Sequence, residues 1–239
     1  MERTISAMIG KGSVNHNTRA FTAKNVDKNR SADNVEFCQE DIKQVYHKLF
    51  DEARERYNAK QKRKDRQIKS YYDKISRSKQ EKLFYEVIVQ IGNRDDTGVG
   101  SSSAEVATWV LKDYVKKFQL RNPQLYVIGA YIHLDEETPH LHLNFIPWVS
   151  GCKRGLETKT SLKAALATRG FVSEGKGNTE WKQWAEAEKD DIALIMSRYG
   201  IDWKKKDTHN KHLSVLDYKK QERAKEVATL EQELAGTTV

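Results

Sequence analysis

Apolar and polar positions follow two different periods along this chain, and the period changes where turn residues cluster. In HLHLNFIP, 140 to 147, Leu141, Leu143 and Phe145 fall on one face of an extended strand and His140, His142 and Asn144 on the other. Pro147 is expected to limit further pairing. LYVIGAYIHL, 125 to 134, is apolar on both faces, as a central strand is. LFYEVIVQI, 83 to 91, is rich in β-branched and aromatic residues and stops at Gly92, and TISAMIG, 4 to 10, predicts a shorter strand. From Ser102 the spacing turns helical: Val106, Trp109, Val110, Tyr114 and Phe118 recur on one face, Ser102 and Glu105 form a capping-box signature, and Asn122-Pro123 ends the run. Residues 40 to 82 contain neither Gly nor Pro and predict two helices. A short helix over 161 to 168, a long one over 179 to 199 and a charged one from about 215 complete the pattern. The polar stretches 11 to 34 and 92 to 102 read as ordered loops.

Composition narrows the choice of partners. The 239 residues suffice for one substantial core, and 38% hydrophobic with 32% charged residues is a globular composition with a large solvated or partner-facing surface. The net charge of +8 favours a polyanion, nucleic acid above all. Between Asp51 and Lys82, 12 Lys and Arg stand against 6 Asp and Glu, so this segment supplies +6 of that charge. No apolar run approaches the roughly 20 residues of a membrane span, and MERTISAMIGKGS lacks a signal-peptide core, so a cytoplasmic protein with no integral membrane segment is expected. Cys38 and Cys152 are not spaced as a metal pair and are read as structural.

HLDEETPHLH, 133 to 142, holds three of the chain's seven histidines. His140 and His142, two apart in a strand, point the same way, and a hairpin that sets His133 near either makes three imidazoles converge. Three imidazoles leave a divalent ion open positions, which is a catalytic rather than a closed structural arrangement. Asp135 and Glu136 stand beside the cluster, where one can fix the tautomer of a ligand imidazole. The alternative is two polar residues on a solvated sheet face. Upstream, NHNTR places His16 and Arg19 in the first polar loop, where a histidine is by itself more often a surface residue.

The pattern H-x-D-E-x-x-P-H-x-H resembles the metal motif of the MobV-type relaxases, the Mob/Pre plasmid mobilisation and recombination family. HNTR resembles that family's first motif and NVDKNRSADNVEF the segment after it; the likeness runs from about Ser6 to about Tyr218. The resemblance implies an α+β fold of the histidine-hydrophobe-histidine superfamily, a central antiparallel β-sheet flanked by α-helices. Residues 1 to 213 would be the catalytic domain, and 214 to 239 a charged C-terminal helix that begins a longer extension. It further implies an enzyme that nicks one strand at the transfer origin of a mobile element and can rejoin it. His16 would attack and remain linked to the 5′ phosphate, with Arg19 binding or orienting phosphate. His133, His140 and His142 would hold one divalent ion, Mn2+ or Mg2+, with Glu136 as a supporting catalytic group and Asp135 an outer partner of the ligands.

Such an enzyme, acting in a bacterial cytoplasm, holds single-stranded DNA with an adjacent duplex or hairpin, and in a full-length protein meets other transfer machinery. Lys62, Arg63, Lys64, Arg66 and Lys69, with Lys204, Lys205 and Lys206, are the expected phosphate contacts; Tyr71 and Tyr72 are placed to stack on bases or to pack in the core. His47, His209 and His212 receive no role. Rival readings stay open: a rolling-circle replication initiator or single-strand transposase using a tyrosine such as Tyr126 or Tyr131, a non-enzymatic DNA-binding protein with a structural metal, and a metal-dependent hydrolase.

Overall fold

The computed structural model describes residues 1–205 and, beyond them, Lys220, Arg223, Ala224, Val227, Ala228 and Glu231, which are helical. The rest of the expected C-terminal helix, together with Lys206, His209 and His212, lies outside the described residues. In chain order the elements are β1 (Glu2–Arg3), β2 (Ile5–Ile9), α1 (Val14–Asn17), β3 (Val35–Gln39), α2 (Ile42–Ala59), α3 (Tyr71–Ser76), β4 (Tyr85–Ile91), α4 (Arg94–Thr97) and α5 (Ser102–Arg121). They continue with β5 (Leu125–His133), β6 (His140–Val149), β7 (Lys159–Thr160), α6 (Leu162–Ala167), α7 (Glu180–Arg198) and β8 (Asp202–Trp203). Met1–Lys205 form one compact unit.

Alternation builds the sheet. Its order is β2-β4-β6-β5-β3 with every neighbour antiparallel, and β7 adds to the far end of β6. One face carries Val87, Val89 and Ile91 of β4, Ala130 and Ile132 of β5, and Leu141, Leu143 and Phe145 of β6. Against it pack Val110, Tyr114 and Phe118 of α5 and Trp184, Ile192 and Met196 of α7. Burying each large apolar side chain contributes about 1.5–3 kcal/mol, so this face alone can order the sheet. On the opposite face Ile128 and Ile146 meet Val45, Tyr46 and Phe50 of α2 and Tyr71 and Ile75 of α3. Helices therefore cover one face fully and the other only at one end, where the β6 pattern becomes apolar again.

Four features differ from the sequence expectation. VEFCQ, inside what reads as polar connection and helix lead-in, is the edge strand β3; its alternation spans too few residues to stand out. The loops hold short helices, α1 and α4, each capped by its own turn residue, Ser13 and Asn93. The cap of α5 is Ser101 rather than Ser102, and Trp109, 49% exposed, lies beside Tyr199 at 6.4 Å between ring centroids while Leu111 takes its place in the core. Pro147 does not end pairing: β6 runs to Val149 with Pro147 opposite Leu125. The Trp148 N–H donates to Gln124 O, so the position of the missing Pro147 N–H points to the side where β4 has already ended at Tyr85.

Beneath α5 and α7 lies one polar knot. Glu188, 1% exposed, accepts from the Tyr114 hydroxyl (2.8 Å), Arg121 (2.9 Å) and the Asn122 amide (3.0 Å), and Asn122 in turn accepts from the Trp184 indole (2.9 Å). Removing a buried partner strands the others without compensation. Glu188→Ala is expected to lower stability by about 3 kcal/mol in urea denaturation, whereas Leu120→Ser, at an exposed position of α5, leaves it unchanged.

Candidate active site

The uncovered part of the sheet carries the polar half of the β6 alternation. In register, Tyr131 and His133 of β5 face His142 and His140 of β6, while Gln90, Ile88 and Glu86 of β4 face His140, His142 and Asn144. Ring centroids of His133 lie 5.3 Å from His140 and 4.6 Å from His142, with His140 and His142 4.9 Å apart. A fourth ring arrives from the upstream loop. Ser13 caps α1 and accepts the His16 N–H, and this one-turn helix delivers the His16 ring 5.5 Å from His133 and 5.3 Å from His142.

Each of the three strand histidines has one nitrogen engaged. His133 Nε2 is 2.9 Å from Asn17 O, His140 Nδ1 is 2.8 Å from Thr138 O, and His142 Nδ1 is 2.8 Å from a Glu86 carboxylate oxygen. All three partners are acceptors, so those nitrogens carry protons, and in the neutral form of each ring the lone pair falls on His133 Nδ1, His140 Nε2 and His142 Nε2. His133 Nδ1 and His142 Nε2 are buried with no partner, a costly state for a polar atom without a ligand. Nitrogens of His16, His133 and His142 come within 4.8 Å of one another, and so do ligand atoms of His133, Glu136 and His140. Imidazoles oriented by outer acceptors, with bare nitrogens aimed inward, fit a divalent metal ion.

Electrostatics keeps His16, His133 and His140 neutral. Burial, reinforced by His142, lowers His133 to about 2 and His140 to about 4. Burial also lowers His16, with His142 and Arg19 acting the same way and Glu136 opposing. Glu86 stays ionised: burial favours its acid form, but hydrogen bonds from His142, the Gly12 N–H (2.9 Å) and the Asn17 amide (2.7 Å) hold it below the usual carboxylate range. A glycine is required beside it, because a Cβ on Gly10 would sit 1.8 Å from a Glu86 oxygen.

The two acids of the motif take different positions. Asp135, fully buried, binds Arg19 through both oxygens and accepts from Ser31 (2.8 Å) and Asn34 (2.7 Å), while its carbonyl accepts the Asp27 N–H (2.7 Å). Burial opposes its ionisation and these bonds outweigh it, so its pKa falls well below normal. It anchors the 18–34 loop rather than an imidazole, correcting the expectation that an acid of this motif sets a ring tautomer. Glu136 binds Arg19 (2.9 Å) and Asn25 (2.6 Å) and stands 3.5 Å from His16 Nε2 and 3.9 Å from both His133 Nδ1 and His140 Nε2. Arg19 occupies the left-handed region at φ 58, a conformation a non-glycine adopts at a cost that its bonds to both acids offset.

Thus His16, Arg19, His133, Glu136, His140 and His142 meet in one place, with Asp135 behind Arg19. Glu86, Asn17 and Asn25 are the residues that sequence reasoning missed. Only Glu86 left a signal, a lone carboxylate inside the apolar run LFYEVIVQI. Among the expected DNA contacts, Lys62, Arg63, Lys64, Arg66 and Lys69 are exposed between α2 and α3, and Lys204 and Lys205 are exposed after β8; none touches the four rings. Arg63 is paired with Asp65 at 2.6 Å. Tyr71 is a correction: 5% exposed, with its hydroxyl accepting the Thr160 N–H (3.2 Å), it belongs to the core and has no face for a base. Of the tyrosines considered for attack, Tyr126 bonds Glu40 and Lys48, and Tyr131 is buried with its hydroxyl over Gly129, away from His133.

The model of the plasmid recombination enzyme family, Mob_Pre, matches residues 11–220. No curated protein matches the chain. Among solved structures, the MobM relaxase domain (MOBV; Mob_Pre), Mn-bound and in complex with 22-nucleotide pMV158 oriT DNA at pH 5.5, is 20% identical with a TM-score of 0.56, covering 91% of this chain and 99% of that one. The same domain with oriT DNA bearing a 3′ thiophosphate, at pH 6.8, gives a TM-score of 0.51 at 20% identity over 91% and 98%. The shared fold is an antiparallel sheet flanked by helices, as expected. No helix among the described residues is long and apolar enough to cross a membrane.

The lowered pKa values set a pH dependence. His133 and His140 stay neutral in the fold down to about 2 and about 4, whereas in the unfolded chain they take up protons near 6.5. Their stabilising contribution is full above about 6.5 and is lost as pH falls from there. Glu86 and Asp135, held below their ordinary values of 4.5 and 3.8, add a second loss below that range. Chelator-treated protein is expected to have a lower urea midpoint at pH 5 than at pH 7.5, and His140→Asn a shallower dependence between them.

Proposed function

The chain belongs to the Mob_Pre family of plasmid recombination enzymes, and from that premise we propose that it is a metal-dependent relaxase that nicks and rejoins one strand at the transfer origin of a mobile element. The observation that carries the reading is the meeting of four imidazoles, three oriented by outer acceptors and the fourth, His16, presented by a separate loop. Relatives of the same fold crystallise with manganese and transfer-origin DNA, which supports the metal and the substrate. The reading entails a bacterial, cytoplasmic protein that meets a single strand next to duplex or hairpin DNA.

His133, His140 and His142 would hold the ion, manganese or magnesium, through their free nitrogens. When bound, such an ion draws negative charge from the non-bridging oxygens of the scissile phosphate. His16, kept neutral by burial and by the neighbouring His142 and Arg19, retains the lone pair that makes it a nucleophile. A P–N bond to the 5′ phosphate forms as the bond to the 3′ oxygen breaks. The proton lost from the other ring nitrogen balances the one the 3′ oxygen takes up. Glu136, 3.5 Å from His16 Nε2, orients that ring and receives its proton, and Arg19, held by both acids, supplies a fixed positive charge toward the phosphate. The phosphoramidate retains the bond energy, so the 3′ hydroxyl can reverse the step.

A supercoiled plasmid carrying the origin of the encoding element is the direct assay. Wild type with Mn2+ is expected to yield nicked circles with protein attached by an acid-labile bond, and His16→Ala to lose nicking and adduct together; an adduct that survives in His16→Ala, or that resists mild acid, would overturn the assignment. Chelation should abolish nicking while the helical circular dichroism persists, separating this reading from a structural metal. Glu86→Ala, which frees His142 to rotate, is expected to weaken Mn2+ binding 10–100-fold in calorimetry with the secondary structure retained.

A further inference from the structure

We propose that a cleft beside this centre is a base-binding subsite, taking one unpaired, amino-bearing nucleobase of the strand whose phosphate lies at His16; the proposal rests on the reading of the centre as a strand-nicking site. The cleft, about 290 Å³, opens between the Lys11–Gly12 turn and a wall made by Ser76 at the end of α3 with Glu81, Lys82 and Phe84 ahead of β4. This is just below the ~300–1,000 Å³ range of small-ligand sites, a size that suits one planar base.

Its position ties it to the chemistry. The Gly12 N–H that closes one side donates to Glu86, the same carboxylate that orients His142, and the next residue, Ser13, caps the helix turn bearing His16. The Lys11–Ser13 turn joins the cleft to the helix turn bearing His16, so a nucleotide flanking a phosphate at His16 would lie along it. Gly12 adopts φ +73, and a Cβ there would stand 3.1 Å from the Phe84 ring, so the turn lies flat against a half-buried aromatic. An aromatic wall offers stacking, which any base accepts. Exposed Glu81 offers an acceptor to the exocyclic amino group of a base and repels a phosphate, whereas Lys11 and Lys82 at the mouth suit the flanking phosphates.

The full chain with Mn2+ is tested against single-stranded oligonucleotides spanning the origin, each with one abasic site near the nick. One flanking position is expected to weaken wild-type binding about tenfold when abasic. Ser76→Trp, filling the cleft from an exposed helix end, should bind the intact strand about tenfold more weakly and ignore that abasic site. Glu81→Ala should lose a preference for cytosine over thymine there. Nicking by wild type with no sensitive flanking position, or unchanged sensitivity in Ser76→Trp, sinks the subsite and leaves the nicking reading standing. Absence of any origin nicking by wild type overturns that reading and the subsite with it.

Discussion

The register of β5 and β4 on β6 is the constraint on which everything else rests. Because side chains alternate with period two, the same register that turns Leu141, Leu143 and Phe145 into the main core turns His140, His142 and Asn144 toward Glu86 and His133. A slip by one residue would bury the imidazoles under α5 and α7 and expose the leucines. Burial of the apolar face thus specifies the site, and the site needs no separate device to hold its strands in place. His133 lies opposite His140 for the same reason that Ile132 lies opposite Leu141.

Leaving one sheet face open creates a cost, since polar side chains there are buried by loops rather than dissolved in water. Almost all of it is met by pairing. Glu86 gathers the Gly12 N–H, the Asn17 amide and His142; Asp135 gathers Arg19, Ser31 and Asn34; Glu136 gathers Arg19 and Asn25. Both carboxylates of the motif hold the upstream segment against the hairpin, so the His16 loop is positioned by charge-assisted hydrogen bonds rather than by apolar packing. The site's buried atoms left without a partner are His133 Nδ1, His142 Nε2 and Asn17 Oδ1.

The resemblance between this chain and the MobM relaxase domain is of fold, at 20% identity. At that distance the surfaces are free to differ while the hairpin is not. The basic segment of residues 60 to 69 is largely exposed and partly paired within itself. Its lysines contribute a positive field, which depends on net charge and not on the position of each side chain.

Much of this was legible in the chain itself. The alternation of HLHLNFIP, the doubly apolar LYVIGAYIHL and the acidic Pro-containing turn between them determine a hairpin with three histidines on one side, since strand periodicity and turn chemistry are local. Tyr71 shows the limit: a tyrosine among lysines reads equally as a base-stacking or a core residue until α2 and α3 fold onto Ile128 and Ile146 and enclose it. Glu86, Asn17 and Asn25 are set by contacts across 56 to 127 residues, from Asn25 to Glu136, Asn17 to Asn144 and Glu86 to His142, and no period in a sequence encodes a partner that distant. Local pattern alone determined which side chains share a face. Only the tertiary structure decided which loop is laid against that face, because that choice belongs to hydrogen bonds that exist only once the sheet has formed.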